Sequence, residues 1–110
     1  MKPFNLQQAL NEKLIVLNGN LPIKSQGEYE GQFDSTYFEG VGRSVFKHSI
    51  FEGMFFKNQP NGYGRKIYDC GTVEEGFFKD NVLSGQGVRI RTDGLIVKSY
   101  WKDGMITGKK

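Results

Sequence analysis

A short pattern of residues returns four times along this 110-residue chain at nearly constant spacing. Glu-Gly-x-Phe occurs with its glycine at positions 31, 53 and 76, and a weaker fourth copy begins at Lys98 and ends at Trp101. The equivalent positions 31, 53, 76 and 99 are separated by 22, 23 and 23 residues. A fixed period of this size is typical of repeat proteins, in which each unit packs only against its neighbours.

A second feature keeps the same phase as the first. Gly-x-Gly follows nine residues after the first three origins, at positions 40–42, 62–64 and 85–87, and the fourth copy retains only Gly108. A β-branched residue stands three positions beyond the second glycine, as Val45, Ile67 and Ile90. Because several independent matches share one offset, the repeat is a property of the whole chain from residue 27 onwards.

Each unit is predicted to contain two short strands and two turns. The first strand covers residues 29–33 or 51–55, and the second covers 42–46, 64–68 or 87–91. Segments that contain Gly, Asn or Pro predict strand breaks at 34–40, 57–62, 79–84 and 102–107. Further turns are expected at 69–71 and 92–94, with a tighter one at 47–49. A unit of this length has no room for a crossover helix, so neighbouring strands must be antiparallel.

The sequence therefore predicts an all-β fold, a single-layer twisted antiparallel sheet of successive β-hairpins. The composition agrees, because 15 glycines and an apolar content of 37% do not suit a helical bundle. We expect rings to supply the burial and glycines to leave space, with the series Phe33, Phe55, Phe78 and Trp101 lying across the gaps left by Gly42, Gly64 and Gly87. The predicted ladder consists of the aromatic residues Tyr29, Phe33, Phe51, Phe55, Phe78 and Trp101 and the glycines Gly31, Gly42, Gly53, Gly64, Gly76 and Gly87.

The first 26 residues lie outside the repeat and are predicted to cap the sheet. Asn5 is suited to begin a short helix that continues to Leu10. Residues 14–17 are apolar and predict a strand, and Asn18 with Gly19 predicts a tight turn into a return strand at residues 21–23. The chain thus divides into an N-terminal cap, 1–26, and a repeat array, 27–110, of about three and a half units.

The repeated pattern closely resembles the MORN repeat, an aromatic-Glu-Gly-x-aromatic segment followed by Gly-x-Gly. The likeness is clearest from Phe51-Glu52-Gly53-Met54-Phe55 to Gly62-Tyr63-Gly64. The resemblance implies an array of hairpins that acts as a scaffold, a dimerisation module or an accessory domain. Phosphoinositide binding, proposed for some members of the family, is a further function that it implies.

The residues offer no catalytic arrangement. His48 and Cys70 occupy equivalent turns of adjacent hairpins, about 10 Å apart, whereas a nucleophile and its base need about 3 Å. A zinc site usually needs three or four protein ligands, whereas this chain has one His and one Cys. Glu30, Glu52 and Glu75 form a row that we interpret as a solvated stripe, and a strand follows each Gly-x-Gly where a phosphate loop needs a helix. We predict a protein that is not an enzyme and has no metal or cofactor.

Two kinds of partner fit the sequence. The first is another protein, because a thin sheet cannot bury all of its large side chains; the predicted contact residues are Phe38, Phe56, Tyr63 and Phe77. The alternative is an anionic lipid headgroup, since residues 56–110 carry ten of the 15 Lys and Arg residues. The predicted anion contacts are Lys57, Arg65, Lys66, Lys79, Arg89, Arg91 and Lys102.

Three further expectations concern association and location. Nucleic acid is disfavoured, because aromatic residues at repeat spacing are more often structural. The strand around Trp101 is predicted to leave a bare edge that pairs with a second copy in an edge-to-edge homodimer. A single cysteine, together with the lack of an apolar leader or an apolar run of membrane-spanning length, predicts a cytoplasmic protein.

Overall fold

The computed structural model describes residues 6–13, 19 and 21–107. A short helix, α1 (Leu6–Asn11), precedes nine strands: β1 (Ile23–Gln26), β2 (Tyr29–Asp34), β3 (Tyr37–Val45), β4 (Ser49–Phe56), β5 (Gln59–Tyr68), β6 (Val73–Lys79), β7 (Val82–Ile90), β8 (Ile96–Lys102) and β9 (Met105–Ile106). The strands form one sheet in sequence order, and every neighbouring pair is antiparallel. The predicted single-layer sheet of successive hairpins is confirmed.

The turns within the hairpins are much shorter than predicted. Residues 57–62 were expected to form one turn, but only Lys57 and Asn58 lie outside the strands, and both have positive φ angles, 47° and 71°. A two-residue turn of this kind matches the twist of its flanking strands. Pro60 is accommodated as the second residue of β5, beside an irregularity in the ladder where a missing N–H is tolerated. The predicted breaks at 34–40, 79–84 and 102–107 shorten in the same way.

Successive turns are tied to one another by backbone hydrogen bonds. The N–H of Asn58 donates to the carbonyl of Phe38 at 3.0 Å, and the N–H of Asn81 donates to the carbonyl of Pro60 at 3.1 Å. The side-chain oxygen of Asn58 also accepts a bond from the N–H of Phe38 at 2.8 Å. Each turn is therefore held by the hairpin before it, which stacks the units in register.

The two glycines of Gly-x-Gly have different tasks. In β3, three residues oppose the single residue Gln32, because the pairing steps from Gly31↔Gly42 to Phe33↔Phe38. The first glycine lies inside this bulge, where Gly40 has a φ of 92° that a side chain would strain. The second glycine, Gly42, faces the aromatic core and leaves room for a ring. Equivalent register shifts recur in the next two hairpins.

The turns between hairpins follow the prediction more closely. At the turn expected to be tightest, the N–H of Phe46 donates to the carbonyl of Ser49 at 2.7 Å, which closes a loop of two residues. The next turn is longer, since the N–H of Tyr68 bonds to the carbonyl of Thr72 at 2.9 Å. The missing glycine in the first copy thus corresponds to a shorter connection.

One face of the sheet carries a continuous aromatic core. Tyr29 stacks on Phe38 with ring centroids 4.0 Å apart, and Phe55 meets Tyr29 and Phe51 edge-on at 5.0 and 5.3 Å. Phe51 in turn contacts Phe78 at 5.0 Å. The buried cluster is Tyr29, Phe33, Phe51, Phe55, Phe78, Leu83 and Trp101. Rings therefore link hairpin to hairpin without a second layer.

The rings over the glycines differ partly from those expected. The sequence suggested that Phe33, Phe55, Phe78 and Trp101 would cross the second glycines. In the structure the space over Gly42 is filled by Tyr29 and the space over Gly64 by Phe51. Each of these rings lies two residues before the repeat-origin glycine of its strand, and the register places it diagonally across from the second glycine on the same face. Trp101 does lie against Gly87, and its indole N–H donates to the Gly87 carbonyl at 3.0 Å.

Gly64→Ala should lower the free energy of unfolding by about 1–3 kcal/mol, the usual cost of overpacking a core. The new Cβ would overlap the ring of Phe51 and would also lie 2.8 Å from the Glu52 backbone oxygen, and the φ angle of Gly64 is not positive, so the loss of space is the cause. Urea unfolding of Gly64→Ala, Phe51→Ala and the double variant measures it. The added cost of Gly64→Ala should be smaller in the Phe51→Ala background, where only the contact with the Glu52 oxygen remains; an undiminished cost would show that the Phe51 ring is not the cause.

The two edges of the sheet are covered unequally. At the first edge, β1 pairs along β2 from Ile23↔Gln32 to Gln26↔Tyr29, so the sheet begins within the predicted cap. The predicted strand at residues 14–17, Asn5 and Asn18 lie outside the described residues. At the last edge, β9 pairs with β8 only at Trp101↔Ile106 and Lys102↔Met105. β9 thus pairs with the backbone of Trp101, whose side chain is 3% exposed, so Trp101 itself is not bare as expected, and the edge-to-edge homodimer stays a prediction.

Candidate functional site

The face opposite the aromatic core, here called the outer face, presents three rows that run across the strands. The pairing register places one residue of each strand in each row. The first row is Val41, Met54, Tyr63, Phe77, Gln86 and Tyr100; the second, the charged row, is Glu30, Arg43, Glu52, Arg65, Glu75, Val88 and Lys98; the third is Val45, Ile50, Ile67, Val73, Ile90 and Ile96. The charged row alternates in sign until Val88.

The exposed apolar side chains concentrate on the last hairpin. Leu95 and Ile96 at the start of β8 are 50% and 57% exposed, and Met105 and Ile106 in β9 are 70% and 53% exposed. The other large apolar side chains at the surface are spread through the sheet: Ile23, Tyr37, Phe56, Phe77 and Val82. Leu95 and Ile96 thus mark the beginning of β8, and Met105 and Ile106 pair with its end, so the last hairpin carries an exposed apolar pair at each end of β8, which sequence reasoning did not single out.

The four predicted protein contacts lie in different surroundings. Phe38 is not a surface residue, because its ring stacks on Tyr29 and packs with the core. Phe56 and Phe77 are exposed. Tyr63 is half-buried and meets Phe77 edge-on at 5.4 Å. Of the four, the structure thus brings only Tyr63 and Phe77 into ring contact with each other.

The pKa of Tyr63 in the first row is affected by its surroundings. Burial raises the pKa of Tyr63, and the carboxylates of Glu75 and Glu12 raise it further. Glu12 directly follows α1 in the sequence. No sequence signal indicated that Glu12 would act on Tyr63.

Most of the predicted anion contacts are already engaged or buried. Arg65 and Lys66 are 9% and 5% exposed, contrary to the surface role expected of them. The ammonium of Lys66 donates to the carbonyl and side-chain oxygens of Asn81, both at 2.9 Å, and burial lowers its pKa. Arg91 pairs with Asp93 at 2.8 Å. The pairing register of β5, and not the charge of the side chains, decides which faces of the sheet Arg65 and Lys66 occupy.

The remaining cations lie along the edge formed by the hairpin turns. Lys57, Lys79 and Lys102 are all exposed. The ammonium of Lys57 lies 5.3 Å from the centre of the Phe56 ring. The turns at Lys79 and Lys102 also contain the carboxylates of Asp80 and Asp103, which reduce the positive charge of this edge.

A buried charge cluster lies in the third hairpin, where the first two have rings. Glu74 occupies the position of Tyr29 and Phe51, and its side chain is 4% exposed. One carboxylate oxygen accepts bonds from Arg89 at 2.7 and 2.9 Å, and the other accepts the hydroxyl of Tyr68 at 2.7 Å. Burial, then this hydrogen bond, raises the pKa of Tyr68.

Trp101 explains why the ring is replaced in this hairpin. The indole takes the space against Gly87 that a ring at position 74 would need. The guanidinium of Arg89 lies over the indole, 4.5 Å from its centre, which is a cation–π contact. All the charges in the cluster are satisfied by one another, so we assign it a structural role. An acidic residue at an aromatic repeat position was the sequence signal for it.

The structure supports no catalytic pair among the residues considered. The His48 ring bonds to the Asp69 carboxylate at 2.9 Å, and the thiol of Cys70 meets the hydroxyl of Thr72 at 3.5 Å. Within residues 6–13, 19 and 21–107, no group of three His, Cys, Asp or Glu side chains could hold a metal ion. No helix in the same ranges is long and apolar enough to cross a membrane.

These features define a class, the single-layer hairpin repeat array with an exposed apolar end. The MORN repeat model matches the chain twice, at residues 51–72 and 75–96, so these two segments are similar to MORN repeats. The predicted resemblance is confirmed for the second and third hairpins. No curated protein matches the chain. Such repeats are consistent with a module for binding or scaffolding, and the family is generally non-catalytic.

Proposed function

We propose that this chain is a non-catalytic module that binds another protein through its last hairpin, β8 and β9. The observation that carries the proposal is the group of four apolar side chains there, each half or more exposed: Leu95, Ile96, Met105 and Ile106. Two of these side chains lie at each end of β8, and exposed apolar groups concentrated on one element are typical of protein interaction surfaces. The rigid stack of hairpins behind them holds this end in a defined shape.

Lipid binding is the alternative, and the geometry supports it less. Four of the seven predicted anion contacts are buried, paired or both: Arg65, Lys66, Arg89 and Arg91. The other three share their edge with acidic side chains. Attraction to an anionic membrane needs several uncompensated cations at one surface. Co-sedimentation with anionic and neutral vesicles distinguishes the two, and we expect no preference for the anionic ones.

Ile96→Lys is expected to reduce capture of the protein's partner from its native host at least about tenfold, since a buried apolar contact would be replaced by a charge. Ile23→Lys is the matched control, because Ile23 is 68% exposed but lies at the opposite edge. Quantitative mass spectrometry of co-purified proteins gives the measurement. Equal losses in the two variants, or no loss in either, would contradict a binding site on the last hairpin.

A further inference from the structure

The charged row of the outer face joins each hairpin to the next through two residues that the register sets directly opposite each other. At the first junction, between β3 and β4, Arg43 faces Glu52. At the second junction, between β5 and β6, Arg65 faces Glu75. Opposite charges at directly opposed positions favour the pairing of two strands. The repeat therefore predicts an arginine that faces a glutamate at the third junction, between β7 and β8.

The third junction departs from this rule at both positions. Val88 stands in place of the arginine, and Lys98 stands in place of the glutamate. Lys98 is exposed, and it takes part in none of the ion pairs formed among the described residues. Places where a chain gives up a pattern that its other units keep are often functional sites. The junction between β7 and β8 is therefore singled out within the array.

A shallow groove lies on the outer face at this same junction. Its volume is about 430 Å³. The cross-strand pair of Gln86 and Tyr100 borders it on one side, and the pair of Val88 and Lys98 borders it on the other. Because valine is shorter than the arginine of the other junctions, it leaves space beside Lys98. The described residues that line the groove include no carboxylate, and they are Gln86, Gly87, Val88, Lys98, Ser99 and Tyr100.

The polar groups of the groove suit an acidic ligand. The ammonium of Lys98, the hydroxyl of Tyr100 and the side-chain amide of Gln86 can each donate a hydrogen bond to a carboxylate. The same half of the chain has a positive balance, since residues 56–110 contain ten Lys and Arg residues against six Asp and Glu residues. A field of this sign raises the local concentration of acidic partners.

An exposed apolar side chain lies next to the groove. Ile96 is 57% exposed and belongs to the same strand as Lys98. The two side chains are two residues apart, so they point to the same face at a spacing of about 7 Å. A surface that complements this end of the outer face therefore carries one acidic and one apolar side chain at that spacing.

We propose that the groove between β7 and β8 receives an acidic side chain of the partner protein, while Ile96 contacts an apolar side chain of the same partner. The acidic side chain supplies Lys98 with the opposite charge that the sheet does not place across from it. Charge complementarity of this kind gives selectivity among partners. The inference rests on the proposed function and specifies the chemistry by which the last hairpin recognises its partner.

The double variant Val88→Arg with Lys98→Glu separates a role in binding from a role in the fold. It restores at the third junction the two residue types that the first two junctions carry. We therefore expect its urea midpoint to equal or exceed that of the wild type, while the groove is filled and its charge is reversed. A lower midpoint would show that Val88 and Lys98 serve the fold, and it would overturn the proposal.

A random peptide library displayed on phage, selected on the full chain, is the probe for the groove. We expect the wild type to select peptides that combine an acidic residue with a nearby apolar one. Fluorescence anisotropy of a selected peptide should show a dissociation constant at least about tenfold higher for the double variant, since both the space and the cation are lost. Lys57→Glu is the matched control, because Lys57 is exposed but lies in a hairpin turn outside the groove, and no change is expected there.

Several results would overturn the groove site. They are the selection of no peptide, the selection of peptides without acidic residues, and equal binding by the wild type and the double variant. An equal loss in Lys57→Glu would also do so, because net charge rather than the groove would then decide binding. Dimerisation that light scattering detects for the wild type but not for the double variant would make a second copy the occupant and would equally overturn it. If the peptides show no acidic preference while Ile96→Lys still abolishes partner capture, the proposed function stands without the groove.

Discussion

Phe55→Ala is expected to lower the free energy of unfolding by about 3–5 kcal/mol, the range for removing a packed aromatic ring. Phe55 is 2% exposed and meets two rings, Tyr29 of the hairpin before it and Phe51 of its own. Its loss therefore opens a cavity at the junction between two repeats. Because a single-layer sheet has no second layer that could close the cavity, little relaxation is expected. Urea unfolding followed by circular dichroism measures the change.

Phe56→Ala is the matched control for this prediction. Phe56 is the neighbouring residue in the same strand but is 50% exposed, and we expect a change of less than about 1 kcal/mol. Both variants replace phenylalanine with alanine, so the difference between their free energies of unfolding reports the effect of burying the ring. Equal losses would mean that the aromatic face does not hold the hairpins together.

Arg89→Met is expected to destabilise the fold by about 3–5 kcal/mol, because it leaves the buried carboxylate of Glu74 without its charge partner. The double variant Glu74→Leu with Arg89→Met should recover much of this loss, since no buried charge remains. Denaturant unfolding of the single and double variants gives the coupling energy, which we expect to be about 1–3 kcal/mol.

Arg91→Met tests whether burial is the reason. Arg91 also forms an ion pair, with Asp93 at 2.8 Å, but both side chains are more than half exposed. Exposed pairs contribute about 0–1 kcal/mol, so little change is expected. If Arg91→Met and Arg89→Met had similar effects, or if the double variant lost as much as the sum of the single variants, the buried cluster would not be a coupled unit.

The order and the antiparallel pairing of the strands could be predicted from the sequence, because they depend on local chemistry. The spacing of the origins Gly31, Gly53 and Gly76 showed where each hairpin recurs, and a unit too short for a helix required antiparallel neighbours. Turn lengths were overestimated, because residues 59–62 look like loop residues when read singly. In the structure Lys57 and Asn58 form a two-residue turn and residues 59–62 belong to the bulged strand that follows, which only the pairing with the neighbouring strand shows.

The candidate site was less accessible, because it depends on contacts between distant residues. Phe38 reads as a surplus aromatic residue, but its stacking on Tyr29 follows from the register of β2 against β3. From the sequence, Lys66 and Arg89 were likewise predicted to be surface cations, because their contacts with Asn81 and Glu74 depend on the register between strands. The exposure of Ile96 and Met105 depends on how much of β8 is covered by β9, which no spacing rule states.

By itself the sequence determined the repeat, the all-β class, the order of the strands and the need for glycine at fixed positions. All of these follow from residue spacing, because the side-chain period of a strand and the demands of a tight turn act within a few residues. The tertiary structure alone decided which ring fills the space over each glycine and which charges are buried. Those outcomes depend on the register between strands and on the volume that each ring occupies. For example, Trp101 packs against Gly87, and position 74 holds the carboxylate of Glu74 in place of a ring.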